Sequence, residues 1–140
     1  MTRDEIVEVF ERRLRALNDH DVESLAELYA EDAAVESPLG GTHQGRAAIA
    51  AVFAAFFSAI RDATITQDDL IIDGDRVVQV VTMSGTDTGG FMGMAPSGRP
   101  AMLPMVTISQ VADGVISHER RIYDFTGMLV QIGVLKAKPA

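Results

Sequence analysis

The stretch ATITQDDLIIDGDRVVQVVTMSGT, residues 63–86, decides the fold class. It contains two runs of period two, Ala63–Ile72 and Arg76–Thr86, separated by Asp73-Gly74-Asp75. An Asp-Gly pair between apolar runs signals a hairpin, because glycine takes the positive φ that a tight turn demands. The signal recurs downstream, where Ala112-Asp113-Gly114 divides Arg99–Val111 from Val115–Asp124. The second half of the chain therefore predicts four mostly antiparallel strands, with a glycine-rich loop between the second and third.

Upstream of residue 63 the period is helical. Ile6, Val9, Phe10, Leu14 and Leu17 share one face of a helix that begins at Thr2 or Arg3. After the turn Asn18-Asp19-His20-Asp21, Asp21 is placed to cap a second helix carrying Leu25, Leu28 and Tyr29. A short strand is predicted over Ala33–Ser37, Pro38-Leu39-Gly40-Gly41 breaks the chain, and Arg46–Ile60 forms a third helix with a broad apolar stripe. Met128, Leu129, Ile132 and Leu135 predict a short last helix ending before Pro139. Helices segregated from an antiparallel meander define a single α+β domain over residues 1–140, in which a curved sheet wraps the three N-terminal helices and can leave a cone-shaped hollow.

Composition narrows the functional classes. At 140 residues with 47% hydrophobic content the chain can bury a sizeable core. Its net charge of −8 argues against nucleic acid or an anionic membrane surface as partner. With no Cys and three scattered His, no disulfide and no metal site are expected. The opening Met1-Thr2-Arg3-Asp4-Glu5 turns acidic before any signal-peptide core. The longest apolar stretch, Ala47–Ile60, has about 14 residues against the ~20 that span a bilayer. A cytoplasmic protein acting on an apolar small molecule is the expectation.

Leu17-Asn18-Asp19-His20-Asp21, Tyr29-Ala30-Glu31-Asp32-Ala33 and Pro38-Leu39-Gly40-Gly41 resemble the nuclear transport factor 2-like superfamily, over nearly the whole chain. Three further motifs in order narrow the resemblance to the SnoaL-like polyketide cyclase family: Gly85-Thr86-Asp87-Thr88-Gly89, Pro96-Ser97-Gly98-Arg99, and Tyr123-Asp124 followed by Gln131-Ile132-Gly133. The resemblance implies a cone-shaped α+β barrel, a homodimer or homotetramer, a hydrophobic cavity and no cofactor. It also implies ring closure by intramolecular aldol condensation, with the Asp ending the last strand as acid/base. That position is Asp124, and the family's His falls on Asp87. Residues used by ketosteroid isomerases are replaced by Arg13, Ser37 and Val106, and the Arg-x-Asp of limonene epoxide hydrolases by Val80-Val81-Thr82.

Proton abstraction beside a carbonyl needs a base with a raised pKa and a donor for the enolate oxygen. Asp124, closing an apolar strand, is the expected base; the competing role is to cap the last helix through the amides of Thr126–Met128. Period two groups Asp124 with Ile122, Arg120 and His118, and Tyr123 with Arg121, Glu119 and Ser117. Arg13, a cation on the apolar stripe of the first helix, either stabilises the enolate or anchors a carboxylate or phenol of the ligand, or else snorkels past the stripe to solvent or pairs with a structural acid. Asp87 either completes a carboxylate pair or organises its loop. Tyr29, Ser37, Phe53, Met83, Phe91, Met92, Met105 and Arg120 are expected to contact substrate, His43 to sit at a rim, and His20 in a turn. The apolar loop Gly90–Pro96 is expected to cover the cavity mouth or a dimer contact. A cofactor-independent cyclase or isomerase leads; a non-catalytic binder of an apolar metabolite and a dimerisation scaffold with a filled cone are the alternatives.

Overall fold

The computed structural model describes residues 1–136. The element order is α1 (Arg3–Asp19), α2 (Val22–Glu27), β1 (Tyr29–Ser37), β2 (Gly41–Gln44), α3 (Arg46–Ala59), β3 (Thr64–Asp73), β4 (Arg76–Thr86), β5 (Pro100–Ala112), β6 (Val115–Tyr123) and α4 (Phe125–Gln131). The strands form one curved, open sheet in the order β2-β1-β6-β5-β4-β3. All neighbours are antiparallel except β1 and β6, which run parallel. The three N-terminal helices pack into its concave side, so the α+β cone expected from the sequence is the observed fold. Among the described residues, no helix is long and apolar enough to cross a membrane.

Local chemistry sets the helix ends. Thr2 and Glu5 form a reciprocal capping box at the start of α1, and Asp21 caps α2 through the amide of Ser24. His20 closes α1 in the left-handed conformation, stacks on Phe57 with ring centroids 4.4 Å apart and contacts the Ala63 carbonyl through Nε2 at 2.7 Å. Next to it the Asn18 amide acts as a strand partner for the open edge of β3: Nδ2 donates to the Ile65 carbonyl and Oδ1 accepts from the Ile65 amide, both at 2.9 Å.

Three expectations are corrected. Tyr29 is not on the second helix: α2 stops at Glu27, the Leu28 carbonyl accepts from the Ile116 amide, and β1 starts at Tyr29 rather than Ala33. The chain after the Pro38–Gly41 break forms β2, a four-residue edge strand whose exposed polar residues carry no alternation to detect. The last helix covers Phe125–Gln131, ending before Leu135, and Pro139 lies outside the described residues.

The glycine-rich loop is tethered by close backbone contact. The Gly89 amide donates to the Ala59 carbonyl at the end of α3 (2.9 Å), and a Cβ on Gly89 would collide with the Ser58 carbonyl oxygen. Gly89→Ala must therefore push the loop off α3. A loss of about 1–3 kcal/mol is expected in urea denaturation, with increased proteolysis confined to residues 87–98.

Candidate active site

The concave face of the sheet and the inner faces of α1, α3 and α4 enclose a hollow of about 370 Å³. Its wall is largely apolar, with Phe53 and Phe56 from α3, Val81 and Met83 from β4, Leu103 and Met105 from β5, and Met128 from α4. Leu39 and Met92 are exposed and mark the mouth, with Gly90 and Phe91 of the glycine-rich loop and His43 of β2 beside them. His43 faces Val35 across the β1–β2 ladder, which turns its imidazole toward the inner side. Phe91 meets Phe125 edge to face at 6.4 Å.

The inner end of the hollow is charged. Arg13 lies 2% exposed on the apolar face of α1, and its guanidinium is fully committed: Nε donates to Tyr29 Oη (3.4 Å), Nη1 to Gln79 Oε1 (2.8 Å) and Nη2 to Glu119 Oε1 (3.1 Å). Tyr29 Oη donates to the same Glu119 oxygen at 2.7 Å, and Arg121 Nε donates to Glu119 Oε2 at 2.6 Å. Arg121 is 7% exposed, lies over the Phe53 ring at 4.6 Å from its centroid, and leaves Nη2 without a partner among the described residues. Gln79 passes the network on to Gln67 of β3 at 3.0 Å.

These contacts set the charge states. Burial pushes the Glu119 carboxyl up, but the guanidiniums of Arg13 and Arg121 outweigh it and hold the group down at about 2. Burial works against the charge of Arg121 too, yet Glu119 raises its pKa, and Arg13 is likewise raised by Tyr29 and Glu119. Burial pushes the Tyr29 phenol up, so it stays a neutral donor. Two cations thus share one anion.

The structure separates the sequence-derived site residues. Arg13, Ser37, Phe53, Met83, Phe91, Met92 and Met105 line the hollow. Ser37 Oγ pairs with Tyr123 Oη at 2.7 Å. Tyr29 is buried behind the wall, in the network rather than on the surface of the cavity. Asp124 stands exposed on the opposite side of β6, where Oδ1 accepts from the Gly127 amide at 2.8 Å and caps α4. Arg120 is exposed on that same outer face. Asp87 is buried but turned into its own loop, accepting from the amides of Gly90 (3.1 Å) and Ser97 (2.9 Å). The expected grouping of Asp124, Asp87 and Arg13 does not form.

Alternation along β6 was legible, but the inward face is the charged one, with Glu119, Arg121 and Tyr123, while apolar Ile122 is 45% exposed. A register shift at Gln110/Val111 moves the phase, so that Ile116 and Glu119, three apart, are both buried. Glu119, Arg121, Gln79 and Tyr123 are the site residues that sequence reasoning missed.

A family model described as SnoaL-like polyketide cyclase matches residues 8–132. TsrD from Streptomyces laurentii shares 26% identity, with a TM-score of 0.85 over 96% of this chain and 99% of its own. IdmH from Streptomyces antibioticus shares 31% identity, with a TM-score of 0.77 over 91% of this chain and 97% of its own. A SnoaL-like protein from Jannaschia sp. CCS1, at 22% identity and a TM-score of 0.85 over 97% and 94% of the two chains, shares the fold. No curated protein matches the chain.

Removing the one anion of the network strands two buried guanidiniums. Glu119→Gln is expected to cost about 3–5 kcal/mol in urea denaturation at neutral pH. Because the folded pKa of Glu119 lies at about 2, below an unfolded value of about 4.3, its stabilisation is complete above the unfolded value. It fades as the pH falls from about 5 through about 2. The acid slope of stability in that window should flatten in Glu119→Gln.

Proposed function

Because the chain belongs to the SnoaL-like polyketide cyclase family, we propose that it is a cofactor-independent enzyme moving protons at carbon in an apolar carbonyl substrate, as an aldol-type cyclase or isomerase. The observation that carries this reading is an apolar hollow ending in a buried cluster with excess positive charge. Such an end stabilises negative charge as it develops on an enolate oxygen, and an apolar surrounding strengthens the effect.

The base must come from the wall. Among its described residues are no carboxylates, which leaves His43 and the Tyr123–Ser37 hydroxyl pair. An imidazole is the side chain that exchanges protons most readily near neutrality. In this reading the substrate spans the hollow: His43 accepts a proton from a carbon conjugated with the carbonyl, and Arg121 at the inner end holds the oxygen on which the delocalised negative charge comes to rest. The carbanion then either takes a proton back at another carbon, giving isomerisation, or attacks a second carbonyl carbon. In the second case a carbon–carbon bond forms and His43 returns the proton to the new alkoxide.

The absence of Asp124 and Asp87 from the cavity favours one competing reading, a binding module that holds an apolar metabolite without turning it over. The open hollow weighs against a scaffold built on a filled cone.

Solvent exchange decides between enzyme and binder without knowledge of the natural substrate. In D2O the protein should speed deuterium incorporation beside the carbonyl of 2-tetralone, followed by NMR. His43→Gln should slow the enzymic rate by about 100-fold, and Met83→Trp, which fills the hollow, should abolish it. Asp124→Ala should cost about 1 kcal/mol of stability by uncapping α4 while leaving exchange unchanged. Binding of 2-tetralone with no exchange above background assigns the chain to the binding class.

A further inference from the structure

The geometry points to an acid as the occupant of the hollow: an apolar molecule that arrives already carrying one ionised oxygen group, a carboxylate or an acidic enol or phenol, held at the Nη edge of Arg121. The inference rests on the hollow being a ligand site, and concerns the charge the ligand brings rather than charge developed during a reaction.

The side-chain acceptors on Glu119 and Gln79 are already in use. Glu119 Oε1 takes Tyr29 and Arg13, and Oε2 takes Arg121 Nε. Gln79 Oε1 is occupied by Arg13. Among the described residues Arg121 makes one side-chain hydrogen bond, through Nε; Nη2 is sealed without a partner, as is Thr107 Oγ1 directly across the β5–β6 ladder, whereas Nη1 has no acceptor and is not sealed, so it is the edge a ligand in the hollow can reach. A buried donor with no acceptor is costly, and a charged donor more so. Arg121 belongs to the wall of the hollow, Phe53 covers its guanidinium, and no acidic residue is present among the described wall residues to answer it. An anionic oxygen supplies both the missing acceptor and the missing charge, in the planar geometry that guanidinium favours.

This selectivity opposes the field of the whole molecule. With a net charge of −8 the protein repels anions at long range. A preference for an anionic ligand over a neutral one of the same shape must therefore come from the site itself.

Calorimetric titration with 2-naphthoate and 2-naphthamide, nearly isosteric and differing in charge, tests the inference. The wild type should bind 2-naphthoate about tenfold or more tighter. Arg121→Met should erase the preference while keeping the amide, and Arg120→Met, which loses the same formal charge on the outer face, should retain it. Should Arg121→Met fail to fold, absorbance titration of 2-naphthol on the wild type decides, since its bound hydroxyl must ionise at lower pH than the free compound. Equal affinity for the two naphthalenes, an unshifted 2-naphthol, or a preference that survives Arg121→Met overturns the inference and leaves the cavity reading standing. If neither naphthalene enters, the cavity reading falls and the inference with it.

Discussion

Burying the Arg13, Glu119 and Arg121 side chains in one apolar interior is the constraint around which the rest of the fold is arranged. Each alone would carry a desolvation penalty of several kcal/mol, so none is tolerable without the others and without the neutral donors and acceptors that complete them. Tyr29 and Gln79 serve that purpose, and through them the cluster touches α1, β1, β4 and β6, with Gln67 adding β3. The elements cannot shift much relative to one another without breaking a charged hydrogen bond in a medium where such bonds are strong. The cluster thereby fixes how far α1 stands off the sheet, and with that the depth of the hollow.

The charge balance of the site differs from that of the molecule. Acidic side chains dominate the sequence, yet the inner end of the hollow is cationic, and the carboxylates of Asp87 and Asp124, outside its lining, are spent on backbone amides. Sequence-wide charge describes solubility and encounter, whereas the chemistry of an enclosed site follows from the few groups that share its low dielectric. The apolar wall of Phe and Met side chains adapts to ligand shape and lets those few groups act at full strength.

What could be read from the sequence follows from which forces are local. Asp-Gly turns, capping residues and the switch from helical to alternating period are local, and they fix the elements from α1 to β6 apart from β2. Met83, Met105, Phe53 and Phe91 were legible as wall residues because they are apolar: alternation along β4 and β5 places the two methionines, the apolar stripe of α3 places Phe53, and the apolar loop carries Phe91. Arg13 was legible as an anomaly on an apolar stripe, but its partners are not, since Glu119 and Arg121 look like the solvent side of a strand whose other face offers Ile122. Only the register shift near Gln110 and the parallel pairing with β1 reveal which side faces in, and both are properties of the assembled sheet. Asp124 was assigned to the site by motif, and a single strand's alternation could not say that it faces out.

The separation of Arg13 from Glu119, 106 positions along the chain, has a consequence for how the molecule comes into being. On the ribosome α1 emerges with a cation set in its apolar face long before any counter-charge exists. That face cannot dock in a dry interior until β6 has been made, because an unpaired guanidinium resists desolvation. The early helices thus lack the partner that their buried guanidinium needs. Their final seating becomes a late event, timed by the synthesis of the strand that carries Glu119.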